Sequence, residues 1–161
     1  LLVALLVDPI SAYAMAPPNQ VFRCDINPEE TVYVTLDQGL LSYWYQNAAD
    51  PTRNVTMPVD GTNKSISLYH NPERVVDGMP VETIRVSFHA EQMTTVISMD
   101  MSPEDEAFSI PTIQFMNKGQ LIHTFGCLYD SDEMFLMRTA LANDQVAKGY
   151  SVDKSDPIAP K

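Results

Sequence analysis

Apolar and polar positions alternate with a period of two along most of the chain, in short runs. Val32, Val34 and Leu36 alternate with Thr31, Tyr33 and Thr35, the pattern of a strand with one buried face. Asp37-Gln38-Gly39 leads from this run into Leu40 to Gln46, and the pair reads as a hairpin. On its second strand Tyr43 and Tyr45 share one face and Trp44 takes the other. An earlier run, Asn19 to Ile26, holds Cys24, and shorter ones follow over 54–59 and 64–70. Asn71-Pro72-Glu73-Arg74 fits the start of one helical turn, with Asn as N-cap and Pro at the first helical position, ended by Asp77-Gly78.

Alternation returns over Val81 to Ala90, where Ile84, Val86, Phe88 and Ala90 oppose Thr83, Arg85, Ser87 and His89. Thr94 to Met101 completes a second hairpin, with Ile97, Met99 and Met101 on one face. A third pair of runs, Thr112 to Met116 and Gln120 to Tyr129, flanks Asn117-Lys118-Gly119, the signal of a hairpin with a three-residue loop or bulge. Ser102-Pro103-Glu104-Asp105 has the form of a capping box. The period then changes. Asp130 and Glu133 suit a helix N-terminus, Met134, Met137 and Leu141 form an apolar stripe, and Gly149 suits the position after the last turn, which predicts a helix over 131–148. Residues 151–161 show no periodicity and read as a flexible tail.

These elements predict a mainly β domain over 15–150, an antiparallel β-barrel or sandwich of about eight strands with one C-terminal α-helix. A chain of 161 residues that is 45% hydrophobic is long enough for one domain with a core, and its twelve prolines favour short strands over long helices. The formal net charge of -11 argues against nucleic acid and anionic membrane surfaces as partners and makes a cationic partner or a divalent cation electrostatically easier. Leu1 to Ala14, a short apolar run ending in Ala12-x-Ala14, reads as the remnant of a secretory signal and is too short to insert across a membrane. The expected location is the periplasm or the exterior.

In an exported chain with two cysteines, Cys24 and Cys127 are expected to pair, closing a loop of on the order of 100 residues, which stabilises the fold by about 4 to 5 kcal/mol in the chain-entropy model. The competing reading is a thiol nucleophile: His123 shares the strand face of Cys127 but lies four residues away, too far for direct contact. His70, His89 and His123 fall on separate runs with no metal-ligand spacing, and no phosphate-binding or dinucleotide motif occurs, so no catalytic residue, metal or cofactor is expected. Between Asp100 and Glu133 seven carboxylates, among them Glu104, Asp105, Asp130 and Asp132, oppose the single Lys118. Placed at one end of the sheet they would form a lobe that steers a cationic protein partner. Asp130-Ser131-Asp132-Glu133 lacks the Gly and distal Glu of a calcium loop.

The early Cys24, the strand Leu41-x-Tyr43-x-Tyr45 and the late Lys118-Gly119-x-x-Ile122-x-x-x-x-Cys127 together resemble small exported bacterial β-domains, the membrane-bound C-type lysozyme inhibitors and periplasmic immunity proteins among them. The inhibitors' Tyr-x-x-x-Thr-Lys-Gly loop is matched at Lys118-Gly119, with Ile113 and Asn117 in place of Tyr and Thr. The resemblance implies a compact disulfide-linked β fold and a non-enzymatic, protein-binding role, an inhibitor or immunity protein against a cationic cell-wall hydrolase with Lys118 and Gly119 at the loop tip. Two other readings stay open. One is a ligand carrier or small enzyme, which requires a deep pocket lined by Tyr43, Tyr45 and His89. The other is a structural envelope subunit that associates through an exposed sheet edge.

Overall fold

A computed structural model of the chain describes residues 16–58, 61–102, 110–127 and 151–152. Within them lie ten strands: β1 (Gln20–Asn27), β2 (Glu30–Asp37), β3 (Leu40–Asn47), β4 (Val55–Met57), β5 (Ile66–Val76), β6 (Met79–Ala90), β7 (Met93–Met101), β8 (Ile110–Asn117), β9 (Gln120–Gly126) and β10 (Ser151–Val152). They form two sheets, one ordered β1-β2-β3-β4 and the other β10-β5-β6-β7-β8-β9. All pairings are antiparallel except the short parallel bridge of β10 to β5 at Ser67 and Leu68.

The expected barrel is not formed. Both sheets are open, with β1 and β4 as the edges of the smaller one. At one of those edges β4 stops after three residues at Met57, and the Pro58 that follows has no N–H with which to extend a ladder. Ten strands replace the expected eight, and no α-helix occurs among the described residues. The helix predicted over 131–148, the capping box turn after Ser102 and the segment 1–14 lie outside the described residues. The tail predicted from residue 151 begins instead with the β10 pairing.

The helical turn predicted at Asn71-Pro72-Glu73-Arg74 is also overturned. β5 runs through this segment to Val76, with a register shift between Asn71 and Arg74 that absorbs the irregularity. Asp77-Gly78 is the hairpin turn into β6, with φ of 50° and 81°. Gln38-Gly39 and Lys118-Gly119 repeat that pair of left-handed conformations, the two-residue connection whose twist matches the flanking strands. The β8–β9 connection is thus two residues long, and the bulge sits between Phe115 and Met116.

One hydrophobic core joins the sheets. Val32, Val34, Leu41 and Tyr43 from the smaller sheet meet Ile84, Val86, Phe88 and Ile97 from the larger one, and the Tyr43 and Phe88 rings stand 5.6 Å apart between centroids. The alternation read from the sequence sets this arrangement, since each of those residues occupies an inward position of its strand. The opposite face of β6 and β7 is buried too, and polar. Arg85, 4% exposed, donates from Nε to Ser98 Oγ at 3.1 Å and lies over the Tyr69 ring at 5.2 Å, so its charge is taken up by hydrogen bonding and by the ring face.

Cys24 and Cys127 are bonded, with Cα atoms 5.0 Å apart and a sequence separation of 103. The pairing expected from the sequence is present, and it excludes a free thiol at Cys127.

Candidate ligand-binding cavity

A cavity of about 690 Å³ opens between the sheets, within the range that holds small organic ligands. Its first wall is β3 with β4. Alternation turns Tyr43 and Tyr45 inward while Trp44, on the other face, donates from Nε1 to Thr35 Oγ1 at 3.1 Å. The register then sets Met57 beside Tyr43 and Val55 beside Tyr45. The second wall comes from the ends of β6, β7 and β8. Met93 and Thr95 share the inward face of β7, Phe115 pairs with Thr95, and Ala90 and Glu91 close the β6 end.

Polar groups in the cavity are few and most are committed. Tyr43 is 2% exposed, and burial pushes its phenol well above the ordinary range, opposed by the Thr95 hydroxyl that neighbours it across the sheets. It is neutral at any physiological pH. The Tyr45 hydroxyl donates to Glu30 Oε1, and Asn27 Nδ2 donates to Glu30 Oε2 at 2.5 Å. These two hydrogen bonds, Tyr45 first, hold the Glu30 carboxyl below its usual value against the opposing effect of burial, and the Arg53 charge adds to them. Burial and the same Glu30 contact raise the Tyr45 phenol. Tyr45 therefore offers the cavity its ring and keeps its hydroxyl outside.

His89 also contributes to the lining. Its Nε2 lies 2.9 Å from Ser67 Oγ and its Nδ1 3.1 Å from Thr94 Oγ1. A serine beside a histidine is the start of a nucleophilic arrangement, but the group on the far nitrogen is a hydroxyl, where orientation and charge stabilisation of an imidazolium require a carboxylate. Among the described residues no cluster of three or more His, Cys, Asp or Glu side chains is placed to hold a metal ion.

Of the residues singled out in the sequence, Tyr43, Tyr45 and His89 are brought together here. Lys118 and Gly119 are not in the lining. They form the β8–β9 turn, which is tied to the β6–β7 turn by Lys118 N–H donating to the Gln92 carbonyl at 2.8 Å, one residue from Met93 at the cavity mouth. Glu104, Asp105, Asp130 and Asp132 lie outside the described residues.

Sequence reasoning missed Arg53, Met57, Met93, Thr95 and Phe115. Two of these were within reach, because extending the Ile97–Met101 face of β7 back by two and four positions names Thr95 and Met93. Arg53 carries no comparable signal.

The architecture defines a two-sheet β domain with an internal cavity on one side and a disulfide on the other. No protein-family model matches the chain, and no curated protein or solved structure is significantly similar to it.

Proposed function

We propose that this domain is a non-catalytic carrier that holds the apolar body of a small organic ligand between its sheets, in an oxidising compartment. The observation that carries the reading is the cavity itself, walled by Tyr43, Tyr45, Met57, Met93 and Phe115. Aromatic and thioether side chains present adaptable apolar surface, and two of the rings are fixed by groups behind them, Tyr43 by Phe88 and Tyr45 by Glu30. Pre-set walls lower the ordering cost of binding. The Cys24–Cys127 bond supports the compartment, since such bonds persist where thiols are not kept reduced.

The test uses a neutral fluorescent probe, N-phenyl-1-naphthylamine. One equivalent should bind with enhanced emission, and Ala90→Trp, which adds an indole at the cavity wall, should weaken binding at least about tenfold, or about 1.4 kcal/mol. An unchanged unfolding midpoint shows that the variant is folded. Equal binding by wild type and variant would remove the cavity as the site.

A further inference from the structure

Building on that carrier reading, we infer that the ligand is an anionic amphiphile, its acidic head paired with Arg53 at the cavity mouth and its apolar tail against Met57, Met93 and Phe115. Arg53 ends the short 3-10 turn Pro51–Arg53 between β3 and β4. That turn is well held. Asp50 Oδ1 accepts from Thr52 N–H at 3.2 Å and from Thr52 Oγ1 at 2.5 Å, Arg53 N–H donates to the Asp50 carbonyl at 3.1 Å, and Asn54 Oδ1 accepts from Asn47 N–H at 2.8 Å.

Among the described residues the guanidinium itself is uncommitted. Arg23 is paired with Asp25 at 3.0 Å, Arg74 with Asp100 at 4.0 Å, and Arg85 is buried against Ser98 and Tyr69. Among the described residues Arg53 forms neither an ion pair nor a side-chain hydrogen bond, although its charge is felt at Glu30 and Tyr45. In a chain with 21 acidic and 10 basic side chains, the expected fate of an arginine is a carboxylate partner. One left without a partner at the mouth of an apolar cavity is the chemistry that a carboxylate, sulfate or phosphate head completes, because the guanidinium fork matches such groups with two parallel hydrogen bonds.

Ser65 lines the same cavity with a hydroxyl that makes no bond to the described residues, and it supplies a further donor. The hydroxyls of Tyr43 and Tyr45 are already engaged, the first by Thr95 and the second by Glu30. Glu91, exposed at the β6–β7 turn, places negative charge on that wall, so an anionic head is drawn to the Arg53 side of the mouth.

The experiment is calorimetric titration of the oxidised protein with dodecanoate, dodecanol and dodecyltrimethylammonium, the two ions below their micelle concentrations and the alcohol below its solubility limit. Dodecanoate should bind at least about tenfold more tightly than the other two, the scale of a charge-assisted pair. Arg53→Gln should abolish that preference and leave dodecanol affinity unchanged, and Arg53→Lys should restore part of it. Equal affinity for dodecanoate and dodecanol, tighter binding of the trimethylammonium compound, or an undiminished preference in Arg53→Gln would each overturn the head-group assignment while leaving the cavity reading in place. Failure of all three compounds to bind, together with failure of the neutral naphthylamine, overturns both.

Discussion

The two edges of the smaller sheet solve opposite problems. At β1, Cys24 is fully buried and bonded to Cys127, which follows the edge strand β9, so the sheets are joined edge to edge. At β4 no disulfide ties the sheets among the described residues, and they part around a 690 Å³ space. A cavity this large forfeits packing contacts on both of its walls. A covalent tie on one side lets the other side stay open without loss of the fold, because the tie acts on the unfolded chain and does not require that every wall be filled.

Cutting the tie tests this directly and carries the largest expected effect. Replacing Cys24 and Cys127 by Ser releases a 103-residue loop, and the loss expected from chain entropy is about 4 to 5 kcal/mol. Urea unfolding of the variant beside the oxidised protein measures it. Naphthylamine binding should fall in parallel, since the open side depends on the tied side. A variant that loses stability but binds the probe at full affinity would make the two edges independent.

The next effect falls on the seam where the core meets the cavity. Tyr43 packs on Phe88 and forms the cavity floor, and Tyr43→Ala removes a buried ring at a cost of about 3 to 5 kcal/mol. Thr95→Val separates polarity from packing. It is nearly isosteric, but it removes the one polar side chain acting on the Tyr43 hydroxyl across the sheets, a loss of about 1 to 3 kcal/mol. Equal stability of wild type and Thr95→Val would show that the Tyr43 hydroxyl is satisfied from the cavity side.

The two edges also differ in how much of each could be read in advance. The disulfide followed from two cysteines in the first and last clear strands, and the strands followed from alternation. The segment from Asn71 to Arg74 was misread as a helical turn because Asn71-Pro72 is a good helix start in isolation. Pairing of Ser67 to Asn71 with β6 overrides that local preference, and the register shift before Arg74 accommodates the proline. The barrel was misread for a different reason. Closure depends on whether the edges of a sheet find partners, and alternation describes one strand at a time. The cavity was half legible, since Tyr43, Tyr45 and His89 were named together. Arg53 was not, because its importance lies in the absence of a partner, and that is a property of the folded arrangement.

The smallest expected effect distinguishes the disulfide from the cavity wall by pH. The disulfide does not titrate, whereas the cavity wall at Tyr45 leans on Glu30 of β2, whose ionised carboxylate accepts from Tyr45 of β3 and from Asn27 of β1. Because the folded carboxyl titrates below its ordinary value of 4.5, the unfolded chain takes up a proton first as pH falls. The contribution of Glu30 is therefore fully present above 4.5 and is lost as pH drops through the lower folded value. Glu30 is only partly buried, so solvent screens the contacts and the effect is modest. Wild type should be more stable than Glu30→Gln at neutral pH, and the two unfolding curves should converge in acid. Tyr45→Phe, which removes the leading donor, should move the Glu30 titration seen by NMR upward toward the ordinary value. The stabilisation supplied by Cys24–Cys127, measured as the difference between oxidised and Ser-substituted protein, should stay constant over the same acid range. A difference that changed with pH would mean that the disulfide is coupled to a titrating group, and its contribution would then not be independent of the cavity wall.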